Sequence, residues 1–445
     1  MSEIFEARFC QAGRGGRYRH VGVVGCMAPF AIAQGAAKVV IVGGGPAGAT
    51  VAHYVKKGAP ELDVTLIEAN PIYSSSFFSN LYIGGFRTLE SLNHDYGGLR
   101  RIGVKVVHDF ATDVDAAKKT VKTQRRPHLC LRPARAVAGH RHQVRLHPRL
   151  LRARPPASCR TAIRRRPRAS ARSARSAAWP CATAASVAMV MPSDPYRCPP
   201  GPYERACMIA HYLKTKKPKS KLVIIDPKKA FSKQAVFTEA FDKYYKGIIE
   251  LNLTTEIDDY AVASVDPKTK EIVTKAGKKV KADVANIIPQ QRAGEIAVKA
   301  GCTEGDWCPI NPDNFASKKV QNVYVLGDAA IAAPMPKSAF SANSQAKVVA
   351  ADILTELAKK EKFPARYRNT CWSLLAPDDN VKIGANYAPK DGQARRIRRV
   401  RVAKGEAADV RKQNYPESIG WYDGITADMF AKTPPAAAPA EKKAG

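Results

Sequence analysis

Three groups of residues in this 445-residue chain have the types and spacing for chemistry. Gly43, Gly45 and Gly48 stand in G-x-G-x-x-G order, and Glu68 closes the segment that follows. At those places glycine permits a tight turn (Gly43), lets the backbone approach a pyrophosphate (Gly45) and lets a helix pack closely on its strand (Gly48). An acid at the end of the next strand accepts hydrogen bonds from an adenosine ribose. The second group is Cys198 with Glu204, a thiol and a carboxylate in one short segment. They suit thiol chemistry with a proton acceptor nearby; the competing reading is a core thiol and an acid favoured by a helix dipole. The third is Gly327-Asp328 with Lys337. After an apolar strand, such an aspartate suits the ribityl hydroxyls of a flavin, and the lysine suits the ring's pyrimidine end, where reduction develops negative charge. A solvated loop lysine is the competing reading.

The elements that must position these residues are legible as apolar runs. Val39–Val42 reads as a buried β-branched strand, the glycines open a helix after it, and Val64–Ile67 reads as the next strand, ending at Glu68. Val104–Val107 and Thr120–Thr123 read as further strands. Asn70 to Asn80 is a polar and aromatic loop that can pass a flavin ring. A second βαβ unit follows: strand Val187–Met191, a proline-rich loop, helix Tyr203–Lys216 and strand Lys221–Ile225. Its loop, RCPPGPYE, holds prolines that have no N–H to offer a pyrophosphate, so the unit is read as presenting Cys198 rather than binding NAD(P)H. Asp283–Pro289 and Asn322–Asp328 read as strands returning to the first unit, with a helix from Ala342.

Net charge is +33, but sixteen arginines, with no lysine and no acid, fall between Arg125 and Arg175. Gln124 to Ser186 shows no helical or alternating apolar period, and few regular elements are expected there. A nucleic-acid-binding insert, a disordered linker and a shifted reading frame compete. The shifted frame accounts best for a stretch without the interleaved aromatics and lysines of a nucleic-acid module, and no nucleic-acid partner is expected. Ala394 to Val402 is a shorter patch of the same kind. At the N-terminus, Arg8, Arg14, Arg17 and Arg19 precede an apolar run, Val21–Ala33, as in a signal peptide cleaved after Ala33. No other run approaches the ~18 apolar residues of a membrane span, so no transmembrane segment is expected. The ten cysteines lack metal-type pairing, so no metal site is expected.

The motifs RCPPGPYERA, IIPQQRAGEIA, GDAA with PMPKSAFSANSQAK, and NTCWSLLAP resemble the flavoprotein subunit of flavocytochrome c sulfide dehydrogenase, a relative of sulfide:quinone oxidoreductase in the glutathione-reductase-like superfamily. The resemblance covers 37–123, 187–392 and about 410–430. It implies an α/β fold with two Rossmann-like dinucleotide-binding domains: an FAD-binding domain (37–145 and 290–362, with 124–186 out of frame) and a second domain (146–289). A C-terminal interface domain (363–432) would follow, flanked by a leader (1–36) and a disordered tail (433–445). It also implies a redox-active disulfide between Cys198 and Cys371 beside FAD, with Glu204 as candidate base. Hydrosulfide is the implied substrate, a c-type cytochrome subunit meeting Trp421 and Tyr422 the implied partner, and the periplasm the implied location. Where classical members attach FAD through a cysteine, this chain has Ser76, which offers no thiolate; noncovalent FAD is expected. The alternatives are a sulfide:quinone or NAD(P)H-dependent disulfide oxidoreductase, or a non-functional product if 124–186 disrupts the fold.

Overall fold

In the computed structural model, which describes residues 37–125, 134–138, 143–144, 186–266, 268–400 and 404–432, the β-branched run Lys38–Val42 (β1) is an inner strand of a parallel sheet. Strands covered on both faces are apolar throughout, and Val39, Val40 and Ile41 are fully buried. Helix Pro46–Gly58 (α1) follows, then strand Asp63–Ile67 (β2), a short helix Ser79–Gly84 (α2) and strand Lys105–Val107 (β3).

Strand Ala134–Ala138 (β4) pairs in parallel with β1 on one side and with Val323–Val325 on the other. It is an inner strand of the main sheet, drawn from the arginine-rich stretch in which apolar periodicity signals none. Backbone ladders on both sides satisfy its N–H and C=O groups, a contribution that side-chain pattern does not reveal. Gln143–Val144 pairs with Gln291–Arg292. The remainder of 126–185 lies outside the described residues, as do the leader 1–36 and the tail 433–445.

A second parallel sheet is built from Ser186–Val190 (β5), Lys221–Asp226 (β6), Ile249–Leu253 (β7) and Val284–Ile287 (β8), in the order β7-β6-β5-β8. Helices Gly201–Lys216 (α3) and Gln234–Tyr245 (α4) provide its crossovers. The chain then returns as Val323–Val325 (β9), completing the first sheet in the order β9-β4-β1-β2-β3, and helix Ala339–Ala358 (α5) packs along α1. Three antiparallel strands, Tyr367–Ala376 (β10), Asp379–Lys390 (β11) and Gln393–Val400 (β12), and helix Ala408–Met429 (α6) finish the described chain. The arginine patch Ala394 to Val400 is thus the edge strand of that sheet. No described helix is long and apolar enough to cross a membrane.

Strand β10 packs against α3 and α5, and α6 lies over β11. Tyr422 of α6 is buried, its hydroxyl bonded to Ser75 (2.7 Å) and to His94 Nε2 (2.9 Å). Trp421 is half-buried among Phe77, Phe78, Phe340 and Trp372. For Tyr422 this corrects the expectation that it meets a partner, whereas Trp421 keeps a partly exposed face. Burying the two rings against the 75–78 loop removes more apolar surface from water than an outward placement would.

Candidate active site

Sheet topology brings the ends of β1 and β9 to one edge, where α/β sheets bind ligands. Gly43 turns there with φ +99°, a conformation that favours glycine, and its N–H donates to the Ile67 carbonyl (2.8 Å). A Cβ on Gly48 would lie 2.0 Å from the Gly43 carbonyl oxygen, so that glycine is required by helix–strand packing. Gly45 is different. Its φ of −79° suits any residue, and a Cβ there would meet only Tyr73, at 3.8 Å. Neither backbone strain nor a protein neighbour calls for glycine at position 45, and what remains is room for something outside the chain. Gly45 also caps α1 without a side-chain bond, and the first turn carries no acid, so the dipole end is open to an anion. Glu68 accepts from Gly44 N–H (3.0 Å) and from the Asn70 N–H (2.9 Å) and Nδ2 (3.0 Å), which fixes the carboxylate at the end of β2. This cradle fits a dinucleotide: Gly43, Gly45, Gly48 and Glu68 would hold it.

The other side of the cradle is the turn after β9. Gly327 N–H donates to Gln345 of α5 (2.7 Å), and the mostly buried Asp328 carboxylate lies 3.9 Å from Arg197 Nε. Burial raises the carboxyl of Asp328 above its ordinary range, with Arg197 and then Lys337 opposing. Lys337 Nζ donates to the carbonyls of Asp328 (2.8 Å) and Ala330 (2.9 Å) and lies 3.7 Å from the centre of the Trp307 ring. Burial lowers its pKa to about 8. It is therefore no solvated lysine, and its ammonium is committed to this turn. Ser76 lies within the 70–80 loop, its carbonyl accepting from Ser79 Oγ (2.7 Å) where α2 begins.

The thiol site adjoins this turn directly, because Cys198 N–H donates to the Lys337 carbonyl (2.7 Å). Cys198 has φ +55° and accepts from Gly201 N–H (2.7 Å), a left-handed conformation costing roughly 1–2 kcal/mol outside glycine. Backbone strain of this sort collects at functional sites. Cys371 sits in β10, with Asn369 Nδ2 donating to its sulfur (3.3 Å), and both cysteines are free thiols. Burial first, then Cys371 and Glu204, push Cys198 up to about 12, with Arg197 and Lys233 pulling the other way. Cys371 is raised by burial, and Lys233 and Asn369 moderate the rise. Glu204 lies in the first turn of α3, buried, its Oε1 accepting from Leu374 N–H (2.9 Å) and its Oε2 from Asn80 Nδ2 (2.7 Å). That bond to β10 ties the segment bearing Cys371 to the helix beside Cys198.

Three members of this cluster have no signal in the sequence. Lys233 precedes α4 with φ +62° and is one lysine among many until the fold turns it inward. Asn80 bridges Glu204, the Gly201 carbonyl (2.9 Å) and Arg205 Nε (3.1 Å). Asn369 reaches Cys371 and Ser338, the cap of α5. Among the described residues no group of three His, Cys, Asp or Glu is placed to hold a metal.

Burial, the largest cause, raises the folded carboxyl of Glu204 above its ordinary pKa, against the hydrogen bonds from Asn80 and Leu374. Between the unfolded and folded values the native state holds a proton that the unfolded chain gives up. Stability is thus greatest below the ordinary carboxylate pKa and falls as pH rises toward the folded value. In Glu204→Gln this decline should vanish, whereas the altered bond from Asn80 shifts stability equally at every pH. Urea midpoints of both proteins over about pH 4 to 8 check it: parallel curves would show that Glu204 does not titrate in the folded state.

Residues 181–289 match the central region of the sulfide dehydrogenase (flavocytochrome c) flavoprotein chain, and residues 363–430 match the flavin-binding region of flavocytochrome c sulphide dehydrogenase. Among solved structures, the sulfide:quinone oxidoreductase of Aquifex aeolicus is similar at a TM-score of 0.65 and 17% identity, over 90% of this chain and 93% of that one. A ferredoxin reductase from Rhodopseudomonas palustris is similar at 0.58 and 15%, over 78% and 82%. At such identities the structural likeness speaks for the fold alone, two Rossmann-like units in an α/β chain. The two matched regions contain Cys198, Glu204 and Cys371, and over them the chain is similar to the flavoprotein of flavocytochrome c sulfide dehydrogenase, a flavin-dependent oxidoreductase.

Proposed function

We propose that this protein oxidises hydrosulfide at a Cys198–Cys371 disulfide and passes the electrons through noncovalently held FAD to a c-type cytochrome subunit in the periplasm. The observation that carries this reading is that Cys198, set against the turn after β9, and Cys371, on the strand that Glu204 ties to the helix beside Cys198, come from distant parts of the chain close enough for Cys371 to act on the charge of Cys198. Hydrosulfide attacks one sulfur of the disulfide, the S–S bond breaks, the displaced cysteine leaves with the electron pair, and a persulfide forms on the other. A second hydrosulfide takes the outer sulfur away as a polysulfide anion, which leaves both cysteines as thiols. A flavin in the cradle supplies the two-electron acceptor that returns them to the disulfide. Glu204, kept neutral more readily than an exposed acid, holds or releases the proton that each sulfur gains or loses.

Cys198 is pushed up to about 12 although Arg197 and Lys233 oppose, whereas at Cys371 Lys233 is the first group to oppose burial and Asn369 bonds the sulfur. The better leaving group is thus Cys371, and Cys198 is the sulfur that receives hydrosulfide. The quinone-linked and NAD(P)H-linked alternatives are separated by the same assay. Anaerobic sulfide should bleach the flavin of the purified holoprotein, and added cytochrome c should restore it, with no consumption of NADH. Acid precipitation of that protein should leave the pellet colourless. Flavin that stays oxidised in excess sulfide would overturn the function, and a yellow pellet would overturn noncovalent attachment.

A further inference from the structure

Among the described residues Lys233 is the one cation that approaches Cys371 from outside its own sheet. The Nζ donates to the carbonyl of Cys371 (2.8 Å), to Ser373 Oγ (3.0 Å) and to the carbonyl of Val381 (3.3 Å), so three neutral acceptors on β10 and β11 fix its place. Among the described residues no carboxylate stands within ion-pair distance of it. A half-buried ammonium without a counter-ion is costly, and desolvation accordingly pulls its pKa down to about 8, with Cys371, Glu204 and Cys198 opposing in that order. Keeping the lysine charged therefore depends on negative charge in this cluster.

We propose that Lys233 is a positioning residue that holds a positive charge for the thiolate released on Cys371 when the disulfide opens, and thereby fixes which of the two sulfurs leaves. This deepens the function proposed above and rests on it for the word disulfide. In that step hydrosulfide bonds to the sulfur of Cys198, the S–S bond breaks, and its electron pair goes to Cys371. The new anion and Lys233 then compensate each other in a half-buried site. The groups facing Cys371 are Lys233 at the head of α4, Cys198 and Glu204 from α3 and the loop before it, Asn369 and Tyr387 from its own sheet, and Ser338 at the head of α5. Arg197 and Arg205 face the Cys198 side, and Lys233 acts there as well, after Arg197. Lys233 alone of these adds a positive charge to the Cys371 side.

The assignment is tested on the full-length, flavin-loaded, reduced Cys198→Ser protein, where Cys371 can be alkylated without competition from its partner. Its rate with iodoacetamide is followed against pH by peptide mapping, with Lys233, with Lys233→Met and with Lys233→Arg. Lys233→Met should move the midpoint of the profile to higher pH, slowing alkylation near neutrality about tenfold, and Lys233→Arg should restore it. If the methionine variant does not fold, Lys233→Gln, which keeps a donor for the carbonyls but no charge, should give the same shift. An unmoved midpoint overturns the assignment, as does slowing that is equal at every pH, the mark of mere packing. No sulfide enters this assay, so a shifted profile here, together with a parent protein that fails to oxidise sulfide, would sink the proposed function and leave the Lys233–Cys371 pairing standing.

Discussion

With Cys371 replaced by serine, the protein is expected to keep its flavin and to lose sulfide-dependent flavin reduction, by roughly a thousandfold or more. The two properties separate because they use different parts of the fold. The cradle is made by the β1–α1 turn, the end of β2 and the turn after β9, whereas Cys371 stands on β10. Serine is close in size to cysteine, and Asn369 can hydrogen-bond its hydroxyl as it does the sulfur, so little strain should spread to the cradle. What is lost is the S–S bond that hydrosulfide must open. Cys198→Ser should fail as completely, and the double variant no more than either, since the two sulfurs act as one unit. Anaerobic stopped-flow on the holoproteins reads all three. A Cys371→Ser protein that reduces its flavin at the parent rate would remove the disulfide from the mechanism and leave Cys198 as a structural thiol.

Valine at position 45 should yield a folded protein without flavin, and valine at position 48 should yield hardly any folded protein. At Gly45 the backbone angles accept a side chain and the nearest atom lies 3.8 Å from its Cβ, so the apoprotein has no reason to unfold. The side chain would occupy the space a pyrophosphate needs. At Gly48 the Cβ would collide with the Gly43 carbonyl at 2.0 Å and with Ile41 at 3.0 Å. Prying the helix off its strand costs about 3 kcal/mol or more, a large fraction of the stability of an ordinary domain. Circular dichroism and flavin absorbance on the two purified proteins separate the cases. Flavin retained by Gly45→Val would mean that the cradle is not where the dinucleotide lies.

The contrast between those two glycines shows how far the sequence could be read. Strand, glycine turn, helix and acid lie within one local stretch, and local physics suffices to recognise them; the same holds for the second βαβ unit and the β9 turn. Cys198 and Glu204 were visible as chemistry of unknown purpose, since their partner on β10 is distant in the chain and no periodicity reports it. Lys233 was invisible because a lysine's meaning depends on which way the chain turns, and here a left-handed residue before α4 decides that. Strand β4 was missed for a related reason: an inner strand is specified by the ladders it completes as much as by its own apolar residues. The antiparallel sheet β10–β12 hid its regularity behind bulges and an arginine-rich edge, and arginines on an edge strand discourage pairing with other chains. Trp421 and Tyr422 looked like surface because aromatic residues serve both interfaces and cores.

The joining of α3 to β10 through Glu204 and Leu374 has a kinetic consequence. Contacts between segments far apart in sequence close large loops, and such closures come late and slowly as a chain folds. While the protein is being synthesised, the cradle and Cys198 can emerge and take shape before the segment carrying Cys371 exists. A half-made chain holding the nucleotide-binding turns would still have no sulfur pair. The reactive centre therefore comes into being only with a late and large closure of the fold, and an unfinished molecule has a place for flavin without a means to spend its oxidising power.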